Sequence, residues 1–326
     1  MILVTGATGF LGTELVKQLA EKGLPLRCTR RNHSVMPQIL IPYSNLIEWV
    51  EADICDIFAL EAAMEGITQV YHCAAWVSFK QADKEPMINT NVTGTANVVN
   101  ACIDAGARLI HVSSIAAVGV AKTGELITEK HYLEETPVNN IYAISKLESE
   151  MEVWRGIAEG LDAAIVNPSV IIGASAGASG SGQIFETVRK GLIFYTGGSV
   201  GLVDVADVAQ CMITLMNTDI TAERYIINAE NWYYKDLFDT IAERFHVKAP
   251  TKQAKSWMLE LAWRGASLIG TLTGKSPALD KISAQSASIV QNYDNTKIKK
   301  AIGFEFKPID KTIDEVVAVL SAEDKR

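Results

Sequence analysis

The sequence contains no closely spaced cysteine pair, no HExxH-type histidine spacing and no excess of positive charge, and each absence removes a class of function. Five cysteines, Cys28, Cys55, Cys73, Cys102 and Cys211, stand far apart, and four of them lie within apolar runs. That distribution argues against a disulfide framework or a CxxC site and fits a reducing compartment. The histidines form no metal-ligand pattern, so no metal is expected, and His72 and His111, inside apolar strand candidates, read as structural. Lys and Arg number 30 against 38 Asp and Glu, a net charge of -8 with a pI near 5.3. Nucleic-acid binding depends on cations that neutralise phosphates, so the expected partner is a small molecule.

Long apolar runs are also scarce. The longest, Trp257 to Leu272, is interrupted by Glu260 and Arg264 and falls short of the roughly 20 residues a membrane span requires. It reads as an amphipathic helix covering a pocket, with membrane-surface contact the lesser alternative. The opening Met1-Ile-Leu-Val-Thr-Gly carries neither a basic segment nor an apolar signal core, so a cytoplasmic protein is expected. No internal repeat or disordered linker is evident. With 326 residues and 48% apolar content, the chain can build one large domain or two medium ones.

The first half alternates short β-rich runs with helical patterns, the signature of parallel βαβ units. Strand candidates are Ile2 to Val4, Leu26 to Cys28, Glu48 to Val50, Val70 to Cys73, Leu109 to Val112 and Ala164 to Val166. Helical patterns run from Leu11 to Ala20, Met87 to Asp104 and Ile141 to Glu159, each followed by a glycine (Gly23, Gly106, Gly160) suited to a left-handed stop. After Pro168 the alternation fades into a Gly/Ser/Ala-rich stretch and a helix-rich remainder. The expected architecture is α/β: a doubly wound parallel sheet over 1–170 that binds a dinucleotide, and a smaller, mainly substrate-binding domain over 171–326. Short segments near 200–228 return to the first part.

Thr5-Gly6-Ala7-Thr8-Gly9-Phe10-Leu11-Gly12 follows the first strand and opens a helix. In such a turn the missing side chains admit a pyrophosphate, and the first helical N–H groups stabilise the anion. The second strand ends in Thr29-Arg30-Arg31, where an enzyme that favours NAD would carry a carboxylate. Two guanidiniums there suit a 2′-phosphate, so NADP(H) is preferred, with NAD(H) the alternative. Asp53, with Ile54 beside it, follows the third strand, where its carboxylate can accept from an adenine amino group; a helix N-cap role for Asp53 or Asp56 is the competing reading. His72-Cys73-Ala74-Ala75 ends the fourth strand in small residues that let the chain pass close to a cofactor; ordinary close packing is the competing reading.

Tyr142 and Lys146 stand one helical turn apart and share a face. An ammonium beside a phenol favours phenolate and lowers the tyrosine from about 10, preparing a proton donor or acceptor. Tyr293 and Lys297 repeat the spacing in a polar stretch with no preceding serine, and are assigned to the surface. Ser114 ends the fifth strand 28 residues before Tyr142, at the sheet edge where the cofactor lies. Its hydroxyl can hydrogen-bond a reacting oxygen.

In this order, TGATGFLG, EADICD, HCAA, NTNVTGTANVV, HVSSIAAVG, YAISK, NPSVIIG and VDVADVA make the chain resemble the extended short-chain dehydrogenase/reductase superfamily, which includes the NAD-dependent epimerases and dehydratases. The nearest likeness is to dihydroflavonol-reductase-like and 3β-hydroxysteroid-dehydrogenase-like members. The resemblance implies a Rossmann fold and NAD(P)-dependent chemistry. It implies that Ser114 polarises a carbonyl, Tyr142 exchanges the proton, and Lys146 holds the nicotinamide ribose. It further implies that Asn91 braces the catalytic helix through a water and that Pro168 and Val170 flank the nicotinamide; a packing or capping role for Asn91 is equally open. Asp204 and Asp207 read as structural. Sugar-nucleotide epimerases in this superfamily usually place an Arg where this chain has Tyr195-Thr-Gly-Gly-Ser-Val-Gly-Leu, and dehydratases carry an Asp-Glu pair where it has Ile115-Ala116.

Trp76, Phe79, Phe185, Phe194, Trp232 and Tyr233 are candidates to line an apolar substrate pocket or to belong to the core. The expected activity is NADP-dependent reduction of a ketone or aldehyde of a moderately apolar small molecule, or oxidation of the alcohol, by a monomer or homodimer. The alternatives are a nucleotide-sugar epimerase or dehydratase, which would show no net redox change, and a non-catalytic dinucleotide sensor, for which Tyr142 would serve no purpose.

Overall fold

The computed structural model describes residues 1–78, 81–122, 124–133, 141–177, 180–255, 258 and 288–323. Seven strands form one parallel sheet: β1 (Ile2–Thr5), β2 (Leu26–Arg30), β3 (Ile47–Glu51), β4 (Gln69–His72), β5 (Arg108–Val112), β7 (Ala163–Pro168) and β11 (Glu223–Ile227). Their spatial order is β11-β7-β5-β4-β1-β2-β3. The chain winds outward from β1 to β3, then crosses to the far side of β1 with β4. The reversal leaves a crevice at the carboxyl ends of β1 and β4, where open parallel sheets receive ligands.

The central strands β1, β4, β5 and β7 are short, mostly apolar and buried because helices cover both faces, whereas the edge strand β3 exposes Glu48 and Glu51. α1 (Phe10–Glu21) turns Leu11, Leu15, Val16, Leu19 and Ala20 inward, a helical stripe that packs with α7 (Val205–Met216) on one face. On the other face lie α2 (Ile57–Ala63), α4 (Gly94–Ala105) and α5 (Ile141–Ala158). The continuous helical pattern expected from Met87 to Asp104 is interrupted. α3 (Lys84–Ile88) passes into a wide π turn over Asn89–Thr93 before α4 begins, and the turn buries Asn91. A π turn inserted in a helix often marks a functional position.

Beyond β7, β8 (Val170–Ile172), β10 (Ser199–Asp204) and β12 (Glu230–Tyr233) form a three-stranded sheet in the order β12-β10-β8. It packs with α6 (Gly182–Arg189), α8 (Tyr234–Arg244) and the helix Ile309–Glu323 around a separate core. Two small pairs complete the strands: β6 (Leu126–Ile127) with β14 (Asn292–Tyr293), and β9 (Phe194–Tyr195) with β13 (Lys252–Gln253). Among the described residues no helix is long and apolar enough to cross a membrane. The amphipathic helix expected over 257–272 lies outside the described residues, apart from Met258.

Candidate active site

The crevice is a cleft of ≈ 350 Å³ bounded by the β1–α1 turn, the end of β2, the loop after β3 and the chain leaving β4. The glycines divide the work. Gly6 has φ +68°, and a β-carbon there would lie 2.6 Å from the Ala74 nitrogen, so glycine permits both the turn and the close passage of the β4 exit. A β-carbon at Gly12 would lie 2.2 Å from the Gly6 carbonyl oxygen, so Gly12 seats α1 against its own turn. Gly9 is the exposed member, capping α1 without a side chain and lining the cleft beside Thr8. No acidic residue occupies the first turn of α1, so the N–H groups and positive dipole end face the cleft without a resident counter-charge.

Of the sequence-selected cofactor residues, Gly6, Thr8, Gly9, Arg30, Arg31, Asp53, Ile54, Ala74 and Ala75 line the cleft. Arg30 and Arg31 make no ion pair or side-chain hydrogen bond among the described residues. The Arg31 backbone N–H donates to Ser34 Oγ at 3.1 Å, which folds the loop so that Ser34 also lines the cleft. Asp53 accepts from Cys55 N at 2.9 Å, whereas Asp56 caps α2 through Ala59 N; the two candidate caps therefore separate, and Asp53 is the one at the cleft. Phe10, Leu11, Gly12, Tyr142, Lys146, Pro168 and Val170 do not line it. Leu11 belongs to the core, and Pro168 is buried in β7.

Ser114, Tyr142 and Lys146 gather at the carboxyl end of β5, beside the β4 exit. The Ser114 hydroxyl lies close enough to the Tyr142 phenol to lower its pKa, and it accepts from Ala116 N at 3.1 Å, capping a short 3-10 turn. Lys146, 3% exposed, donates from Nζ to the Val112 carbonyl at 2.7 Å. Burial lowers its amine to about 8, opposed by Glu150 and by Cys73, the latter lining the cleft. Lys146 thus remains mainly cationic at neutral pH. The expectation that Lys146 lowers Tyr142 is corrected: burial raises the phenol above its ordinary value, and the Ser114 hydroxyl opposes it. Desolvation of the phenolate is the larger effect, and the ammonium is held by the Val112 carbonyl.

Asn91, 1% exposed, reaches the same helix directly. Its Nδ2 donates to Ser145 Oγ at 3.0 Å and to the Trp76 carbonyl at 2.9 Å, while Oδ1 accepts from Trp76 N at 2.7 Å. Ser145 Oγ in turn donates to the Tyr142 carbonyl at 2.9 Å. One side chain therefore ties the helix that carries Tyr142 to the cleft wall at Trp76. His72 hydrogen-bonds Thr5 and Thr95, and burial, then Lys146, lowers it to about 3; His111 is lowered well below its usual value by the same causes and by His72. Both rings are neutral under physiological conditions.

One further assignment is corrected: Tyr293, expected at the surface, is half-buried in β14, while Lys297 forms a surface ion pair with Glu223. Of the aromatic candidates, Phe185 is 1% exposed and belongs to the second core. Trp76, by contrast, lines the cleft, Trp232 packs against the second core, Phe194 and Tyr233 are exposed, and Phe79 lies outside the described residues. Sequence reasoning missed Glu150, Asn167 and Arg224, a buried polar group beneath the triad. A signal existed for Glu150, which continues the stripe of Tyr142 and Lys146 at four-residue spacing.

The family profile described as NAD dependent epimerase/dehydratase family matches residues 2–228. A dihydroflavonol 4-reductase-like protein of Synechocystis sp. is 30% identical over 323 residues, covering 96% of this chain and 92% of its own. An anthocyanidin reductase of Vitis vinifera is 29% identical, with 76% and 82% covered. Among solved structures, gox2253 superposes with a TM-score of 0.85 at 29% identity, covering 99% of this chain and 98% of the other. The UDP-glucose 4-epimerase of Thermotoga maritima reaches 0.79 at 19%, covering 100% and 99%, a likeness of fold. The chain therefore belongs to the NAD dependent epimerase/dehydratase family, the NAD(P)-dependent reductases and epimerases of the extended short-chain dehydrogenase/reductase type.

Proposed function

We propose that this protein is an NADP-dependent oxidoreductase that reduces a ketone or aldehyde of a moderately apolar small molecule, or oxidises the corresponding alcohol. The observation that carries the reading is the gathering of Ser114, Tyr142 and Lys146 at the carboxyl end of β5, with Lys146 Nζ anchored on the Val112 carbonyl, beside the cleft that Cys73 shares with the glycine turn. When bound, the reduced nicotinamide supplies hydride to the carbonyl carbon. Tyr142 gives its phenolic proton to the carbonyl oxygen, and burial, which keeps that phenol protonated at neutral pH, suits it to this direction. Ser114 donates to the same oxygen as charge develops. Lys146, cationic below about 8, favours the phenolate left after transfer.

The cleft fits a dinucleotide: an uncapped helix start for the pyrophosphate, Asp53 toward the adenine, and Arg30 and Arg31 for a 2′-phosphate. The substrate would enter between this part of the chain and the 171–326 half. The segment Tyr195 to Leu202 offers no cation for a diphosphate, and Trp76 and Val77 present apolar surface at the cleft. Both favour an apolar substrate over a nucleotide sugar.

The test is fluorescence titration with NADPH and NADH, followed by NADPH oxidation across aromatic and aliphatic ketones and aldehydes. Tyr142→Phe is expected to lose at least about 100-fold in kcat while retaining NADPH affinity. Interconversion of UDP-sugars without net redox change would replace this reading with an epimerase, and failure to bind either cofactor would overturn it.

A further inference from the structure

Glu150 and Arg224 form an ion pair at 2.9 Å with side chains 1% and 7% exposed. Removing two charges from water costs several kcal/mol per ion, and an apolar pair of the same volume often serves stability as well or better. What distinguishes this pair is the completeness and direction of its bonding. Glu150 Oε2 accepts from Ser113 Oγ at 2.7 Å and from Asn167 Nδ2 at 2.8 Å. Its Oε1 accepts from Arg224 Nη1 and from Trp154 Nε1 at 3.3 Å. Asn167 Nδ2 also donates to the Ser114 carbonyl at 3.0 Å. Arg224 donates to the Glu129 carbonyl from Nε and Nη2 and to the His131 carbonyl from Nη2 at 2.7 Å, with its guanidinium 5.0 Å from the centre of the Tyr132 ring.

We propose that the buried Glu150–Arg224 pair is the positioning centre of the Ser114–Tyr142–Lys146 triad. It fixes the helix that carries Tyr142 and Lys146 to the backbone that carries Ser114 and to the 129–131 segment. The inference rests on the reductase reading of that site. Neither residue touches the reacting atoms; both act through the groups they hold. Among the described residues Glu150 is also the one carboxylate of the groups that face Lys146, the others being His72 and Cys73 at the end of β4 and His111 on β5.

The experiment uses the full-length protein saturated with NADPH. Steady-state kinetics are followed between about pH 6 and 10 for the native protein, Glu150→Gln and Ser113→Ala. Glu150→Gln keeps the shape and removes the charge; it should lower kcat by about tenfold or more, since small displacements at a reacting centre are costly, with KM for NADPH little changed. Loss of the carboxylate makes Lys146 give up its proton more easily, so the alkaline limb of the pH profile should move to lower pH. Ser113→Ala removes one bond and keeps the charge; it should lower kcat severalfold and leave the limb in place. If Glu150→Gln fails to fold, Ser113→Ala decides alone. A role confined to packing would lower Tm in these variants while kcat and the limb stayed native, and that result overturns the proposal. If the native protein turns over no carbonyl, the reductase reading fails by itself, and the positioning claim is read from hydrogen exchange. Arg224→Met should then speed exchange in 128–132 and 141–146 together, with α1 unaffected, and unchanged exchange in either segment would overturn the claim.

Discussion

The arginines at the end of β2 and the arginine on β11 are the same chemical group in opposite circumstances. Arg30 and Arg31 face an open cleft and make no ion pair or side-chain hydrogen bond among the described residues. Arg224 is 6% exposed, pairs with Glu150 and spends its remaining donors on two carbonyls. A guanidinium in water without a protein partner costs the fold little and is ready for an anion from outside. One buried among matched acceptors contributes orientation and is intolerant of change. The comparison separates binding cations from positioning cations by a geometric criterion: whether the protein already supplies the anion.

The largest effect should follow from breaking the matched pair. Arg224→Met leaves Glu150 as an uncompensated buried carboxylate and should cost about 3–5 kcal/mol of stability, measured as a lower urea midpoint. Arg30→Ala with Arg31→Ala should stay within about 0.5 kcal/mol of the native protein, since nothing folded depends on those side chains. If the two replacements destabilise equally, the distinction drawn from partners is wrong.

Cofactor binding should reverse the ranking. Removing both cleft arginines deletes charge-assisted contacts to a 2′-phosphate and should raise the dissociation constant for NADPH by about 10- to 100-fold, each such bond contributing about 1.5–3 kcal/mol. NADH, which lacks that phosphate, should bind nearly as before. Equal weakening of both cofactors would show that the loop acts on the dinucleotide generally, and the NADP preference would fall.

The same contrast explains what could be read from the sequence. The central strands appear as short apolar runs because burial on both faces demands them, the edge strand β3 as a mixed run, and the helix stops after α1, α4 and α5 follow from glycines that take a positive φ. The cleft was legible at Gly6, Arg30, Arg31 and Asp53 because each follows or ends a strand, and at Gly9 because it opens the helix after β1. Gly12 was legible as a glycine but not as the residue that seats α1 on its turn, since spacing alone does not say whether a missing side chain makes room for a ligand or for the chain. The positioning pair was hidden because Glu150 and Arg224 lie 74 residues apart. Periodicity tells which residues face inward, but it does not tell which inward polar groups will meet. The π turn at Asn91 was hidden for a related reason: helical spacing on either side is preserved, and only the hydrogen bonds to Trp76 and Ser145 show why the helix widens there.

A smaller instance of matched against unmatched charge sits at the start of α7. Asp204 accepts from Ala206 N, Thr312 Oγ1 and Lys307 Nζ, whereas among the described residues Asp207 accepts only from the Lys307 backbone at 2.8 Å. Burial raises Asp207 to about 6, with the Asp204 charge adding to the effect. A carboxyl whose value is higher folded than unfolded contributes stability below the unfolded value and loses it as pH rises through the folded one. Between about pH 4 and 6 the folded protein therefore becomes progressively less stable through this group, and at pH 7 the full cost is present. Asp207→Asn keeps an oxygen for the Lys307 N–H and removes the charge. It should stabilise the protein at pH 7 by up to about 1 kcal/mol after allowance for partial solvent screening, with the gain vanishing near pH 4, where the native carboxyl is already protonated. The urea midpoint of the two proteins at the two pH values checks the sign. A gain that persists undiminished at pH 4 would mean that packing rather than charge distinguishes Asp207 from Asp204.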